Sequence, residues 1–390
     1  MTRSAAIPVL AIVGTRPDAV KMAPVVQALR GDPAFRTILV ATAQHREMLD
    51  QVLPLFDLAP DVDLDVMRPH QTLTEITTRT LDRLDEVFAR TRPEMVLVQG
   101  DAAPSFCGAL VAFYHRVAIG HVEAGLRTYD KYHPFPEEMY RHMTGVLADL
   151  HFAPTAAARE NLLREGIPAD RIFVTGNTVI DALHQISARP IAADALPEVP
   201  SDRRIVLVTA HRRENWGEPM RRICAALRTL VERFPDIEVV FSVHRNPIVR
   251  EVVYEALGGL QRVHLIEPPD YGPFVHLQKR SYLILTDSGG VQEEAPGLGT
   301  PVLVMRETTE RPEGVAAGVV RVVGTDEEVL VREASRLLSD AEAHRAMANA
   351  VNPYGDGRAS ARIVQALRFH FGLASGPPEA FDPPAPRGTF

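Results

Sequence analysis

Cysteine is almost missing from this chain: Cys107 and Cys224 are the only two in 390 residues, and they stand far apart inside apolar segments. Two distant thiols cannot staple a disulfide scaffold, so both read as inert core residues. No apolar run approaches the roughly 20 residues needed to cross a bilayer. Basic residues are not in excess, with 42 Lys and Arg against 50 Asp and Glu and a formal net charge of -8. No basic run interleaved with aromatics appears, which argues against a nucleic-acid surface, and any anionic ligand must be met locally. The fingerprints G-x-G-x-x-G and G-x-x-x-x-G-K-[ST] are absent, which weighs against a bound dinucleotide and a P-loop. H-E-x-x-H and Cys/His metal spacings are absent too, so the sequence implies no cofactor and no metal.

What is present is a chain of 46% hydrophobic and 24% charged residues, long enough for two domains with separate cores. Residues 5–13 are apolar behind an arginine but run into Gly14-Thr15-Arg16-Pro17 without a small-residue cleavage site. They read as a first strand, and the protein as cytoplasmic. Strand-like runs at 9–13, 37–41, 95–99, 116–120, 150–153 and 172–175 alternate with amphipathic stretches, which is a parallel α/β pattern. A second series follows at 205–209, 238–243, 263–266, 282–285, 301–305 and 319–323. Between its first two strands Met220, Ile223, Leu227, Leu230 and Phe234 fall on one helical face. The expected organisation is an N-terminal domain over 1–187, a linker rich in Ala, Pro and Asp over 188–203, and a second domain over 204–355. A C-terminal helix over 356–373 is expected to pack back toward the first domain, ahead of a disordered tail over 374–390. Two Rossmann-like α/β domains facing across a cleft is the architecture this pattern predicts.

The densest signal lies between Ile284 and Arg311. A buried strand is followed by the polar turn Asp287-Ser288-Gly289-Gly290, then a helix bearing Glu293 and Glu294. Backbone N–H groups at such a helix start hold phosphate, and a first-turn carboxylate can accept from ribose hydroxyls. The next strand delivers Arg306 and Arg311 to its carboxyl end, where open parallel sheets bind ligands. Near the N-terminus, the turn at Gly14 sets Arg16 and Lys21 close to one helix start, where both can neutralise a diphosphate.

Asp101 follows the strand at 95–99, Glu123 follows the next, and Glu137 lies in Pro134-Phe135-Pro136-Glu137-Glu138. Carboxylates at one sheet edge can divide acid and base roles once burial and repulsion separate them. Glu138 reads instead as a cap or salt-bridge partner. His211, in the charged run with Arg212, and His244 each follow a strand of the second half, where an imidazole can donate to a leaving phosphate oxygen.

These residues sit in blocks that together resemble the bacterial non-hydrolysing UDP-N-acetylglucosamine 2-epimerases, enzymes of the two-Rossmann-domain GT-B architecture. The blocks are G-T-R-P-D-A-V-K-M-A-P from Gly14, A-Q-H-R-E-M-L-D-Q from Ala43, G-H-V-E-A-G-L-R-T from Gly120, T-G-N-T-V-I-D from Thr175, T-T-E-R-P-E from Thr308 and N-P-Y-G-D-G from Asn352. The resemblance implies catalytic roles for Asp101, Glu123, Glu137 and His211. It implies UDP contacts for Arg16, Lys21, Phe274, Ser288, Gly289, Gly290, Glu294 and Arg311, with His244, Arg141 and Arg212 as secondary residues. Its implied partners are UDP-N-acetylglucosamine and UDP-N-acetylmannosamine, with a homodimer as the assembly. The threonines usual after the first catalytic aspartate are Ala102 and Ala103 here, and the asparagine usual three residues after Glu137 is Tyr140, which adds bulk beside the sugar site. Some relatives carry an activating UDP-sugar site that includes the block around Gln44 and Glu47 and an arginine at the position of His70.

The implied chemistry has a physical logic. The C2 proton of the sugar is not beside a carbonyl, and oxidation at a neighbouring carbon would need a nicotinamide site. Elimination of UDP across C1 and C2, leaving a 2-acetamidoglucal that UDP then re-enters, avoids both problems. Four alternatives stay open at this level: a hydrolysing 2-epimerase, an epimerase for a modified UDP-acetamido sugar, a GT-B glycosyltransferase, and a non-catalytic UDP-sugar-binding protein.

Overall fold

Strands buried on both faces alternate with amphipathic helices, and the result is two parallel sheets. The computed structural model describes residues 5–42, 51–68 and 71–383. Gln44, Glu47 and His70 lie outside the described residues. The first half runs β1 (Ile7–Val13), α1 (Arg16–Arg30), β2 (Phe35–Ala41), β3 (Val62–Asp63), α2 (Leu73–Thr91), β4 (Met95–Gln99), α3 (Ala103–His115), β5 (Ala118–Val122), α4 (Glu137–Leu147), β6 (Leu150–Ala153), α5 (Ala156–Arg164) and β7 (Ile172–Val174). After α6 (Thr178–Ser187) come β8 (Arg204–Ala210), α7 (Glu218–Arg233), β9 (Ile237–Val243), α8 (Pro247–Leu257), β10 (Val263–Ile266), α9 (Tyr271–Arg280), β11 (Ser281–Thr286), α10 (Gly289–Gly297), β12 (Val302–Val304), α11 (Pro312–Ala316), β13 (Val320–Val322), α12 (Glu327–Ser339), α13 (Ala341–Ala348) and α14 (Ala359–His370).

Among the described residues the first sheet has the order β3-β2-β1-β4-β5-β6-β7, and every pair is parallel. The second has the order β10-β9-β8-β11-β12-β13, again parallel throughout. Strand order reverses between β1 and β4 in one sheet and between β8 and β11 in the other. Such switch points open a crevice at the carboxyl ends of the strands, where doubly wound proteins bind ligands. Parallel strands covered by helices must be apolar on both faces, which is why β8 and β9 read as near-continuous Val, Ile, Leu and Phe. Leu227 and Leu230 of α7 are fully buried against this sheet, each contributing about 1.5–3 kcal/mol. Phe234 ends that helix as its cap residue and packs, partly buried, on the same core.

Chain contacts define two units, Met1–Ala182 with Gly355–Asp382, and a second built on Leu183–Tyr354. The boundary thus falls inside α6 rather than at 187, and α14 belongs to the first unit. The stretch expected as a linker is part of the second: Val199 is buried in its core, Leu196 packs beside it, and the Arg280 guanidinium donates to the Val199 carbonyl. Prolines made this segment look open, but two apolar side chains suffice to dock it. The expected disordered tail is also corrected over 374–383. Phe381 is buried, its N–H donates to the Val174 carbonyl at 2.8 Å, and its ring lies under the Arg362 guanidinium. An extended segment held by one aromatic anchor has no periodicity to read. Among the described residues no helix is long and apolar enough to cross a membrane. Cys107 and Cys224 are buried, and desolvation pushes both thiols up to about 12.

Candidate active-site residues of the two units

In the first unit the switch point is built from the loop after β1 and the loop after β4. Thr15 is the N-cap of α1, and the Asp18 carboxylate accepts from the N–H groups of Gly14 and Thr15 at 3.3 and 3.1 Å. Gly14 is required because a side chain there would run into Pro104. Arg16 is the first residue of α1 and is half-buried. Lys21, one turn further on, reaches Glu123 after β5, its Nζ 2.6 and 2.8 Å from the two carboxylate oxygens. Two amides complete the hold on Glu123. Gln99 donates through Nε2, and Asn177 Nδ2 donates at 3.0 Å while its Oδ1 accepts from the Val179 N–H, which fixes the orientation of that amide.

Asp101 stands one strand away, after Gly100, whose φ of +60° lets the chain turn sharply out of β4. The turn is braced from below by the buried His121, whose Nε2 donates to the Gly100 carbonyl at 2.7 Å, and burial pushes that imidazole down to about 3. Arg141 Nη2 lies 2.5 Å from Asp101 Oδ2. Desolvation pushes the Asp101 carboxyl above the usual range, and the Glu123 and Glu137 carboxylates push the same way against Arg141 and Lys21. Asp101, Glu123 and Glu137 therefore share one electrostatic neighbourhood. Glu137 starts α4 and is half-buried, whereas Glu138 is buried and accepts from the N–H groups of Thr128 and Tyr129 and from His142. Glu138 thus ties the preceding loop to α4. Tyr140 stacks on Phe106, centroids 5.3 Å apart and 7° from parallel, so its bulk is engaged between α3 and α4.

In the second unit the switch point brings together the ends of β8, β9 and β11. A recess of about 170 Å³ is lined there by residues including His211, Ser242, His244, Phe274 and Ser288. Asp287, fully buried, accepts at Oδ2 from the N–H groups of His211 and Arg212 and from Asn215 Nδ2, each at 2.9 Å. Its Oδ1 lies 3.0 Å from His211 Nδ1. Burial pushes the Asp287 carboxyl up, but His211 and those backbone N–H groups outweigh it and hold it below the usual range. His244 lies beside His211, ring centroids 5.9 Å apart, and its Nδ1 accepts from the Asn246 N–H. Burial and the neighbouring His211 hold the His244 imidazole below its ordinary value.

Helix α10 starts at the same edge, with Ser288 as its N-cap. A Cβ at Gly289 would stand 3.8 Å from Arg212 Nη2, 3.9 Å from Glu310 Oε2 and 4.0 Å from Arg311 Nη2, so two guanidiniums and the carboxylate that pairs with Arg212 face the helix start. Free backbone donors, the positive end of the helix dipole and these cations converge as a diphosphate demands. Arg311 also pairs with Glu293, and Glu294 accepts from Gln278 Nε2 at 3.0 Å. Arg306 is buried and committed to Glu214 and Glu310. Among the described residues no cluster of three His, Cys, Asp or Glu side chains is arranged to hold a metal ion.

Sequence reasoning missed three partners that organise these sites. Asp287 was read only as part of a turn, though its place straight after a strand was the available signal. Gln99 and Asn177 carried no signal beyond their polarity at strand ends.

Comparison with known proteins identifies the family. The family profile described as UDP-N-acetylglucosamine 2-epimerase matches residues 27–368. The UDP-N-acetylglucosamine 2-epimerase of Bacillus subtilis (strain 168) is 53% identical over 373 residues, 96% of this chain and 98% of the relative. A crystal structure of a UDP-N-acetylglucosamine 2-epimerase is similar with a TM-score of 0.90 at 50% identity, over 97% of this chain and 99% of that one. The UDP-GlcNAc 2-epimerase from Neisseria meningitidis, solved bound to UDP-GlcNAc, is similar with a TM-score of 0.84 at 46% identity, over 93% of this chain and 99% of that one.

Proposed function

The chain belongs to the UDP-N-acetylglucosamine 2-epimerase family, and from that premise we propose that it interconverts UDP-N-acetylglucosamine and UDP-N-acetylmannosamine without hydrolysis. A carboxylate takes the C2 proton while the C1–oxygen bond breaks, the bonding pair leaving with the β-phosphate of UDP and a C1=C2 double bond forming. Delivery of a proton to the opposite face of C2 and return of the UDP oxygen to C1 complete the inversion. Nothing is oxidised or reduced, and no co-reactant is consumed.

Roles follow from the local chemistry. The helix start at Ser288 to Gly290, with Arg212 and Arg311, holds the diphosphate, and His211, its Nδ1 turned to Asp287, serves the departing oxygen when it carries a second proton on Nε2. Phe274 and Glu294 position the uridine and ribose, and Arg16 adds positive charge. Asp101 is the best suited proton carrier, because desolvation and two neighbouring carboxylates favour its protonated form. Glu137 is its partner on the opposite face. Glu123 is held in place by Lys21, Gln99 and Asn177. His244, its proton on Nε2, gives a neutral donor.

The observation that carries this reading is the convergence of Arg212, Arg311 and the α10 start on Gly289, beside a carboxylate-held histidine. It is tested by incubating the purified protein with UDP-N-acetylglucosamine alone in heavy water. A second UDP-sugar carrying deuterium at C2 is expected. Free sugar plus UDP would mean hydrolysis, and an unchanged substrate would leave only binding. A cytoplasmic homodimer completes the proposal. Phe113 and Tyr114 on α3 and Val146 on α4 are exposed on two helices that pack together, an apolar patch suited to a second copy. Light scattering on the purified chain checks this.

A further inference from the structure

The geometry points to Asp287 as the positioning residue that sets the tautomer of His211, an inference that rests on the role proposed for that histidine. Asp287 is fully inaccessible, and its two oxygens have separate tasks. Oδ2 is saturated by three donors from the loop after β8: the N–H groups of His211 and Arg212 and the amide of Asn215. Those contacts fix the carboxylate and the backbone of His211 together, and the His211 carbonyl is further held by Trp216 Nε1 at 3.3 Å. Oδ1 is left to face the ring, 3.0 Å from Nδ1. A carboxylate accepts only, so the imidazole places its proton on Nδ1 and presents Nε2.

The neighbouring histidine has the opposite arrangement. His244 Nδ1 accepts from the Asn246 N–H, which puts its proton on Nε2. Two stacked imidazoles lining one recess therefore present unlike nitrogens, one a fixed donor and the other able to gain and release a proton. Among the described residues Asp287 makes this difference, at His211. A carboxylate needed merely to tie the loop would require Oδ2 alone.

The test is Asp287→Asn. The amide oxygen can keep the place of Oδ2 with its three donors, and the amide nitrogen then falls where Oδ1 was, a donor facing Nδ1. The ring must respond by moving its proton to Nε2. Nitrogen-15 histidine spectra of the unliganded protein read this directly, His211 being assigned by its disappearance in His211→Asn. The wild type is expected to show the Nδ1–H form of neutral His211, and the variant the Nε2–H form. Turnover of UDP-N-acetylglucosamine is expected to fall on the order of a hundredfold or more in Asp287→Asn. The double variant with His211→Asn should lose no more than His211→Asn alone, because both changes act through one ring. An Nε2–H tautomer in the wild type, additive losses, or wild-type turnover in Asp287→Asn would each overturn the assignment. The wild-type spectrum decides even where the variant fails to fold. It also stands apart from the reaction, so a protein that binds UDP without epimerising would sink the functional reading and leave the tautomer measurement intact.

Discussion

Lys21 Nζ lies 2.6 and 2.8 Å from the two oxygens of Glu123, across 102 residues of sequence. The pair joins the helix after β1 to the loop after β5 and places the lysine charge on a carboxylate rather than in open solvent.

Lys21→Met should therefore act on the fold as well as the substrate. Removing one member of a largely buried pair is expected to cost about 3 kcal/mol, and combining it with Glu123→Gln should restore much of the loss. Denaturant unfolding of the two single variants and the double decides. Equal, additive losses would mean that the two side chains stabilise the unit independently.

Asp101→Asn and Glu137→Gln are expected to suppress turnover by roughly three orders of magnitude or more while UDP affinity changes little, because the lost interaction belongs to the transition state. Rapid-quench kinetics beside titration calorimetry with UDP separate the two effects. A loss confined to UDP affinity would place these carboxylates in binding alone.

Arg16→Ala and Arg311→Ala should each weaken UDP binding by about 1.5–3 kcal/mol, since a charge-assisted contact to the diphosphate is lost. Gly289→Ala provides a sharper probe. Its Cβ meets nothing nearer than 3.8 Å and its φ is not positive, so the fold should tolerate it. The added methyl nevertheless occupies the space in front of the α10 donors. Calorimetry should show weaker UDP binding at unchanged thermal stability, and wild-type affinity would move the diphosphate elsewhere.

Asp18 supplies a pH dependence. Burial raises its carboxyl to about 6 from an ordinary 3.8, so the folded protein binds its proton more tightly than the unfolded chain does. The stability this contributes is fully present below pH 3.8 and is lost as pH rises to about 6, on the order of 3 kcal/mol in all. Asp18→Asn removes the titration. Its stability relative to the wild type should rise between pH 4 and 6, and a flat difference across that window would assign the pH dependence to other groups.

The alternation of strands and helices was legible because parallel sheets force long apolar runs, as in β8 and β9, and amphipathic faces such as that of α7. The strand-end positions of Asp101, Glu123, His211 and Ser288 followed from the same periodicity. What stayed hidden was pairing over distance. Nothing local in the helix after Gly14 announces that Lys21 meets Glu123, or that Asp287 divides its two oxygens between a loop and a ring. The docked linker and tail were hidden for another reason: Leu196, Val199 and Phe381 are single anchors in proline-rich chain, and an anchor without a period looks like no structure.

The start of α14 bears on how this protein is made. The Asp181 carboxylate accepts from the N–H groups of Ala359 and Ser360, and Arg368 pairs with Asp32. The first unit, begun at the amino terminus, is thus closed by residues that leave the ribosome only after the Leu183–Tyr354 stretch of the second unit has been synthesised. A nascent chain halted after β13 would hold every strand of the second sheet, while Asp181 and Asp32 of the first unit still await these partners. The amino-terminal half is therefore the last to be finished.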